Sequence, residues 1–240
     1  MVRSDITEGK PGVPLLLRVN VIDATKCTAI ENAAVDIWHC DALGIYSGYV
    51  AASSAANNGS NRPPQGAPGA GPGISPQGAP ATGSGTPPGP PAGGGHQGAT
   101  DKETFMRGTQ ITDHKGTAEF HTIYPGWYTG RTTHIHLKVH VDGTNTNNTY
   151  SGGHVSHTGQ FFFSDELSEQ IGKLKPYMNN TVVRTLLMQD TIYPAKNTAG
   201  ALLTLTPMKS DSLEAGFLGV VTVAVNTSAT PGAVGFVSTN

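Results

Sequence analysis

The sequence predicts an all-β protein, an antiparallel β-sandwich with long loops and one short helix. About eight or nine short segments are rich in β-branched and aromatic residues and are separated by glycine, proline and asparagine turns. Only one stretch carries the polar start of a helix. Short strands that recur along a chain of 240 residues are typical of a sandwich of two sheets.

The first strands are predicted at residues 13–24 and 33–39, where apolar residues alternate or run together. Because turn residues lie between them, we expect these two strands to form a hairpin. Residues 44–49 follow, and we expect them to form a turn and a short strand.

The composition changes sharply at residues 51–100, which contain 13 Gly and 10 Pro, with Arg62 as the only charged residue. Such a stretch has neither a strand period nor a helix period, and it cannot form a packed core. The strand segments on either side need one another to complete a core. We therefore predict one domain over residues 1–240, with 51–100 as a flexible insertion within it.

Strands resume from Phe105 onward, and one short helix follows them. Ser164 precedes two acidic residues, which predicts an N-cap and a helix that ends near Leu174. The remaining strands are predicted at 117–123, 132–141, 159–164, 200–206 and 217–225.

The strand at 132–141 is the most informative, because it alternates between an apolar and a polar face. His134 and His136 both lie on the polar face, with their Cα atoms roughly 6.6 Å apart. Two imidazoles so placed can bind one metal ion, with further ligands from elsewhere. On its own, such a pair is more often simply part of an exposed polar face.

Other motifs accompany the histidine pair in a fixed order. They are VDIWHCDALGIYSGY at 35–49, FMRGTQITD at 105–113, PGWY at 125–128, and Arg131-x-x-His134-x-His136. Together they resemble the intradiol ring-cleavage dioxygenases, the family of the protocatechuate 3,4- and catechol 1,2-dioxygenases. The resemblance spans most of residues 10–165 apart from the insertion, and it is closest to the secreted, single-domain branch of the family.

The resemblance implies a mononuclear ferric ion, Fe(3+), with four protein ligands. The implied ligands are Tyr46, Tyr128, His134 and His136. Tyr49, although near Tyr46, is not in the implied set. Tyr128 matches the position whose ligand leaves the iron when substrate binds. Arg131 and Gln160 match positions that stabilise charge on the substrate ring.

Two tyrosines suit ferric iron, because this hard ion prefers anionic oxygen ligands. A free phenol has a pKa of about 10, so both tyrosines must lose a proton to bind the metal. The implied reaction cleaves a catechol with O2 between its two hydroxylated carbons and gives a muconate-type diacid. A guanidinium at Arg131 would stabilise negative charge during this attack.

Composition limits the partners. The formal net charge is −2 and only 13% of residues are charged, so no basic surface for nucleic acid is expected. No apolar run approaches the roughly 20 residues that cross a membrane. The expected partners are a small catechol and O2, and the oligomeric state is left open.

Two features predict an extracellular protein whose signal peptide would precede this numbering. One is a disulfide between Cys27 and Cys40 across the first hairpin, for which two free thiols are the alternative. The other is a set of four N-glycosylation sequons, at Asn58, Asn147, Asn179 and Asn226.

Two other function classes remain open from the residues alone. A non-catalytic β-sandwich binding module, transthyretin-like or carbohydrate-binding, would have no metal and an exposed strip of aromatic residues. A zinc hydrolase with the same histidines would need a third histidine or a carboxylate. If the substrate is a carboxylated catechol, Arg107 and Lys138 are the candidate cations for its carboxylate.

Overall fold

The computed structural model describes residues 1–57, 99–193 and 201–230. Most of the predicted insertion, including Asn58, lies outside these described residues, as do residues 194–200 of the chain. Within the described part, two four-stranded sheets pack face to face. No helix in that part is long and apolar enough to span a membrane.

Eight strands and two α-helices make up the regular structure of the described residues. The strands are β1 Pro14–Asp23, β2 Ala34–Trp38, β3 Arg107–Ile111, β4 Thr117–Ile123, β5 His134–Thr146, β6 Thr149–Phe162, β7 Leu205–Pro207 and β8 Phe217–Val225. The α-helices are α1 Val50–Asn57 and α2 Asp165–Ile171. Short 3-10 helices occupy Tyr177–Asn179, Leu187–Gln189 and Leu213–Ala215.

One sheet has the strand order β4-β1-β8-β7, and we call it the back sheet. The other has the order β3-β2-β5-β6, and we call it the site sheet because it carries both histidines. The strand pairs are antiparallel, except that β1 and β8 run parallel. The predicted all-β sandwich is confirmed.

The core lies between the two sheets and explains which way the site faces. Leu17 and Val19 of β1 and Ile135 and Leu137 of β5 are buried in one hydrophobic cluster. Because side chains alternate along a strand, the neighbours of Ile135 on β5 point to the opposite face of the site sheet. His134 and His136 therefore lie on the face turned away from the main core.

Strands β5 and β6 form a long hairpin that exceeds both predicted strands. Asn147 and Asn148 form its two-residue turn with φ values of 52° and 58°. This left-handed pair is the geometry that joins twisted antiparallel strands, and asparagine tolerates it. β6 begins at Thr149 rather than at the predicted residue 159. Its first half could not be predicted from the sequence, because Gly152 and Gly153 interrupt the apolar pattern there.

The predicted hairpin between the first two strands is wrong. β1 pairs with β4 and β8 in the back sheet, whereas β2 pairs with β3 and β5 in the site sheet. The segment between them crosses from one sheet to the other. Both strands were located well by local alternation, but alternation does not specify the partner of a strand.

Two further local predictions need correction. Residues 44–49 form turns without a strand, because Gly44 and Gly48 adopt left-handed conformations with φ values of 80° and 79°. The predicted helix begins as expected, since the Ser164 side chain accepts a hydrogen bond from the backbone N–H of Leu167. It ends at Ile171, just before Gly172, rather than near Leu174. The short helix α1 was not predicted.

The expected disulfide is absent from the described residues. Cys27 and Cys40 are both free thiols, the first exposed and the second buried. Cys27 lies in the turn that follows β1, and Cys40 lies beyond the far end of β2, in a small cluster with Trp38 and Tyr46. Without a β1–β2 hairpin, the two cysteines do not face each other.

Candidate metal centre

A tight loop after β2 places Tyr46 over the site sheet. The Asp41 side chain accepts hydrogen bonds from the backbone N–H groups of Leu43 and Ile45, at 2.9 and 3.0 Å. The backbone N–H of Asp41 in turn donates to the carbonyl of Ile45. This closed turn directs Tyr46 inward against Trp38, where only 3% of Tyr46 is exposed.

The segment that carries Tyr128 packs directly against this loop. The backbone N–H of Gly126 donates to the carbonyl of Asp41 at 3.1 Å. A Cβ atom on Gly126 would lie 2.5 Å from the carbonyl oxygen of Ala42, closer than any real contact. The glycine of the PGWY motif therefore allows the two tyrosine-bearing segments to approach each other.

Four side chains converge on the outer face of the site sheet. The Nε2 atoms of His134 and His136 are 3.1 Å apart. The phenol oxygens of Tyr46 and Tyr128 each lie 3.4 Å from His134 Nε2. The two phenol rings meet edge to face, with centroids 5.4 Å apart. Residues that are up to 90 positions apart in the chain thus present two oxygens and two nitrogens to one point.

The tautomer of His134 leaves its inner nitrogen free to bind a cation. His134 Nδ1 donates to the backbone carbonyl of Thr132 at 2.6 Å, so Nε2 carries the lone pair. Burial lowers the pKa of His134 to about 3 and lowers the pKa of His136 well below its usual value. Both rings are therefore neutral at neutral pH, which is the state that binds a metal.

Tyr46 is buried and Tyr128 is partly buried, and the effect of burial on both phenols outweighs the nearby charge of Arg131. Burial raises the pKa of Tyr128 to about 12 and raises that of Tyr46 well above its usual value of 10. A cation among the four donors would reverse this effect, because it favours the phenolate over the phenol. The environment therefore suits a bound metal ion.

The spacing of the donors also fits one ion. A metal about 2.1 Å from two ligands separates them by roughly 3.0–3.4 Å at angles near 90–110°. The separations between His134 Nε2 and the other three donors are 3.1, 3.4 and 3.4 Å. The two oxygen donors are the phenols of Tyr46 and Tyr128. No group of three His, Cys, Asp or Glu side chains that could hold a metal ion occurs among the described residues.

Arg131 and Gln160 lie beside this centre and contact each other. Arg131 Nη2 donates to Gln160 Oε1 at 2.6 Å. Gln160 lies on β6 directly opposite His136 on β5. Arg131 Nε donates to the carboxylate of Asp190 at 2.9 Å. The guanidinium is therefore held between two elements at the edge of the donor set.

No family model matches the sequence, and no curated protein matches it. Solved structures do match. An intradiol ring-cleavage dioxygenase from Tetranychus urticae is 26% identical with a TM-score of 0.68, and the match covers 96% of this chain and 89% of that chain. A second dioxygenase crystal structure is 27% identical with a TM-score of 0.70 over the same shares of the two chains. The resemblance to the intradiol ring-cleavage dioxygenases is therefore confirmed at the level of structure.

A more distant structure shares the fold. The 3-chlorocatechol 1,2-dioxygenase from Rhodococcus opacus 1CP is 15% identical with a TM-score of 0.50. That match covers 92% of this chain but 64% of the other, so the Rhodococcus enzyme is considerably longer.

The structure brings together all six residues that the resemblance implied for the site. The two candidate cations lie to one side of them. Arg107 donates through Nε to the hydroxyl of Ser47 and through Nη2 to its carbonyl. Lys138 Nζ lies 5.9 Å from the centre of the Trp38 ring. Trp38 and Tyr46 are buried here, and Tyr49 and Tyr128 are partly buried, so these residues do not form the exposed aromatic strip that a binding module would present.

Sequence reasoning missed two residues of the candidate site. Trp38 lies within the 35–49 motif without an implied role, yet it stacks directly on His136. Asp190 was not singled out, although its side chain is fully buried against Arg131. Asp190 belongs to no motif, and it meets Arg131 across 59 residues of chain. An isolated acidic residue in a loop gives no local signal of such a contact.

Proposed function

We propose that this protein is a non-haem Fe(III) dioxygenase that cleaves catechols with O2 between the two hydroxylated carbons. The product would be a cis,cis-muconate-type diacid. The observation that carries the proposal is the convergence of Tyr46, Tyr128, His134 and His136 on one buried point. The structural likeness to an intradiol ring-cleavage dioxygenase and to a second dioxygenase supports the same reaction.

The four converging side chains would hold the iron. Two phenolates and two neutral imidazoles form a ligand set of hard and borderline donors that suits a ferric ion. When bound, Fe(III) would act as a Lewis acid that binds the catechol oxygens and draws electron density from the ring. The phenolates also disfavour reduction to Fe(II), because they are anionic.

The two tyrosines would have different roles. Tyr46 is buried in a small cluster with Trp38 and Cys40, whereas Tyr128 is partly exposed and precedes a tight turn at Gly130. Tyr128 therefore has more room to move aside for substrate. Once released as a phenolate, its Oη atom can accept one of the two catechol protons.

Arg131 and Gln160 would stabilise the substrate while O2 attacks the ring. The Arg131 side chain is 11% exposed, so its positive charge acts in a medium of low polarity. Negative charge on the bound catechol is favoured beside it. Gln160, which accepts from Arg131, fixes the guanidinium toward the strand that carries the histidines.

The overall reaction balances without another reagent. The bond between the two hydroxylated carbons breaks, and each of these carbons becomes a carboxylate carbon. Both added oxygen atoms come from O2, which is reduced as the ring is oxidised. No external reductant is required.

We also propose that the protein acts outside the cell. The sequons at Asn147, Asn179 and Asn226 are all exposed, so an oligosaccharyltransferase could reach each of them. Digestion of the protein from its native source with an endoglycosidase should lower its apparent mass. An unchanged mass would contradict glycosylation at these sites.

The test of the reaction is turnover with oxygen isotopes. Iron-loaded protein is mixed with catechol in ¹⁸O2, O2 consumption is recorded and the product is analysed by mass spectrometry. We expect one O2 per catechol and a diacid that carries both labelled atoms. A product cleaved beside the two hydroxyl groups, or no ring cleavage with any catechol, would contradict the proposal.

Three variants connect this activity to the site. His134→Ala and Tyr46→Phe each remove one donor and should abolish iron retention or turnover. Tyr49→Phe is the matched control, because Tyr49 packs at the edge of the same cluster without its hydroxyl among the four donors. Full activity without His134 or Tyr46 would exclude this site as the metal centre.

A further inference from the structure

We propose that Asp190 is a positioning residue, which holds Arg131 and Gln160 in the geometry that ring cleavage requires. This inference rests on the proposed function. Asp190 does not contact the four candidate metal-binding atoms. It acts through the guanidinium of Arg131, and through the peptide that precedes the histidines.

The carboxylate of Asp190 is fully satisfied by donors from two segments. Oδ2 accepts from Arg131 Nε at 2.9 Å and from the backbone N–H of Thr132 at 2.8 Å. Oδ1 accepts from the backbone N–H groups of Ile192 and Tyr193, at 2.7 and 2.9 Å. The Asp190 side chain has no exposed surface. These four hydrogen bonds to one buried carboxylate fix the position of Asp190 closely.

Arg131 is consequently held from two sides. Nε is bound to Asp190 and Nη2 is bound to Gln160 Oε1, while the carbon stem emerges from the turn that follows Tyr128. A free arginine would lose rotamer freedom on adopting one pose. Because Asp190 and Gln160 already hold Arg131 in one pose in the folded protein, this rotamer freedom is lost on folding and not on substrate binding.

The second contact of Oδ2 links Asp190 to the histidine strand. Asp190 holds the N–H of Thr132, and the carbonyl of Thr132 accepts from His134 Nδ1. The same residue thus fixes the backbone just before β5 as well as the guanidinium. One carboxylate sets the distance between the positive charge and the metal ligands.

The segment around Asp190 offers a matched control. Arg184 pairs with Asp165, and the Asp165 carboxylate also accepts from the backbone N–H of Leu187. This ion pair ties the same loop to helix α2 but does not contact Arg131 or Gln160. Asp165→Asn therefore weakens the loop without touching the guanidinium, whereas Asp190→Asn removes the charge that holds it.

The first measurement compares iron-loaded wild type, Asp190→Asn and Asp165→Asn with catechol as substrate. Asp190→Asn should lower kcat by about 10- to 100-fold, because a misplaced charge no longer matches the reacting ring. Its iron content should equal that of wild type. Asp165→Asn should stay within about twofold of wild type. In an Arg131→Ala background, Asp190→Asn should add less than about a twofold loss.

A second measurement is independent of turnover. Ga(III), a diamagnetic trivalent ion, replaces iron, and the arginine Nε–H signals are recorded by NMR. Arg131→Lys identifies the Arg131 signal by its loss. That signal should exchange slowly with water in wild type and in Asp165→Asn, and rapidly in Asp190→Asn.

The outcomes separate this inference from the proposed function. If wild type cleaves no catechol, the proposed function fails. If wild type cleaves catechol but Asp190→Asn retains its kcat, only the positioning role is overturned. Equal losses in Asp165→Asn, or an iron loss that accounts for the lower kcat, would also overturn it. Should Asp190→Asn not fold, Arg131→Lys tests the same contact, because lysine keeps the charge but cannot bridge Asp190 and Gln160; wild-type kcat there would overturn the proposal.

Discussion

The indole of Trp38 lies flat against the imidazole of His136, with 4.8 Å between the ring centroids and 1° between their planes. The two residues are direct cross-strand partners on β2 and β5. Only 4% of Trp38 is exposed, and Tyr46 packs in the same small cluster. Trp38 therefore restricts the rotation of one candidate ligand and supports another.

Removing this ring should loosen the centre. We expect Trp38→Ala to lower the free energy of unfolding by about 3–5 kcal/mol and to weaken iron binding, because His136 loses its stacking partner. Trp38→Phe keeps a flat ring and should retain most of both properties. Urea unfolding and competition with an iron chelator measure the two effects. Equal iron affinity in Trp38→Ala and wild type would show that the stacking does not orient His136.

The approach of the two tyrosine-bearing loops should depend on Gly126. Gly126→Ala places a methyl group against the carbonyl of Ala42, so we expect a loss of about 1–3 kcal/mol in stability and weaker iron retention. Gly130→Asn is the control in the same segment, since no atom lies within 4 Å of a Cβ there and asparagine tolerates the φ of 82°. Thermal unfolding and iron content distinguish the variants. The account is contradicted if both behave alike.

Much of the sandwich could be predicted from local alternation. β1, β4 and β8 lie within a residue or so of the predicted segments, because their apolar residues repeat with a period of two. The pairing of strands could not be predicted in this way. β1 and β2 are consecutive but belong to opposite sheets, and the parallel contact of β1 with β8 joins residues about 200 positions apart.

The candidate site was likewise only partly predictable from local patterns in the sequence. The histidine pair follows from the alternation of β5, whereas the other four residues were implied by family resemblance. Asp190 and the stacking of Trp38 arise from tertiary contacts that no pattern in the chain encodes. The loop at 44–49 was mistaken for a strand because its glycines, rather than its β-branched residues, determine its backbone.

The predicted insertion should be dispensable for the centre. Asp101 accepts from the backbone N–H groups of Gly48 and Val50, both at 2.8 Å, and the N–H of Thr100 donates to the carbonyl of Gly48 at 2.7 Å. These contacts fix the end of the Tyr46 loop independently of residues 58–98. Replacing 58–98 with a short Gly-Ser linker should leave iron content and kcat within about twofold of wild type. Loss of iron on deletion would show that the insertion supports the loop.

The hydrogen bonds of Asp101 should matter more for the order of the Tyr46 loop than residues 58–98 do. Asp101→Ala removes three acceptor contacts, including one to the N–H of Glu103, and should increase hydrogen exchange across the Tyr46 loop. Lys102→Ala is the neighbouring control. Equal hydrogen exchange in the two variants would show that Asp101 does not stabilise the Tyr46 loop.

Stability should fall in mild acid because of His39. Its Nδ1 donates to the carbonyl of Cys40 and its Nε2 accepts from Thr122, and burial lowers its pKa to about 4. Between this value and the unfolded pKa of about 6.5, the unfolded chain binds a proton that the folded chain does not. Stability is therefore full above pH 6.5 and decreases as the pH falls toward 4, by about 3 kcal/mol.

Urea unfolding of iron-free protein at several pH values measures this effect. His39→Asn should be less stable than wild type at neutral pH, but its stability should depend less on pH between 6.5 and 4. His134 and His136 also titrate at low pH in the iron-free protein, and they contribute equally to both variants. Parallel curves for wild type and His39→Asn would assign the pH dependence to other groups.

The most direct test of the metal centre is a visible absorption spectrum of the iron-loaded protein, recorded under argon before and after catechol is added. Tyrosinate bound to Fe(III) gives a red colour through charge transfer, so we expect a visible band that moves to longer wavelength when catechol binds. The band should be missing in His134→Ala treated in the same way. An iron-loaded wild-type protein without this band, or a band that catechol leaves unchanged, would contradict a ferric centre that binds catechol through these four residues.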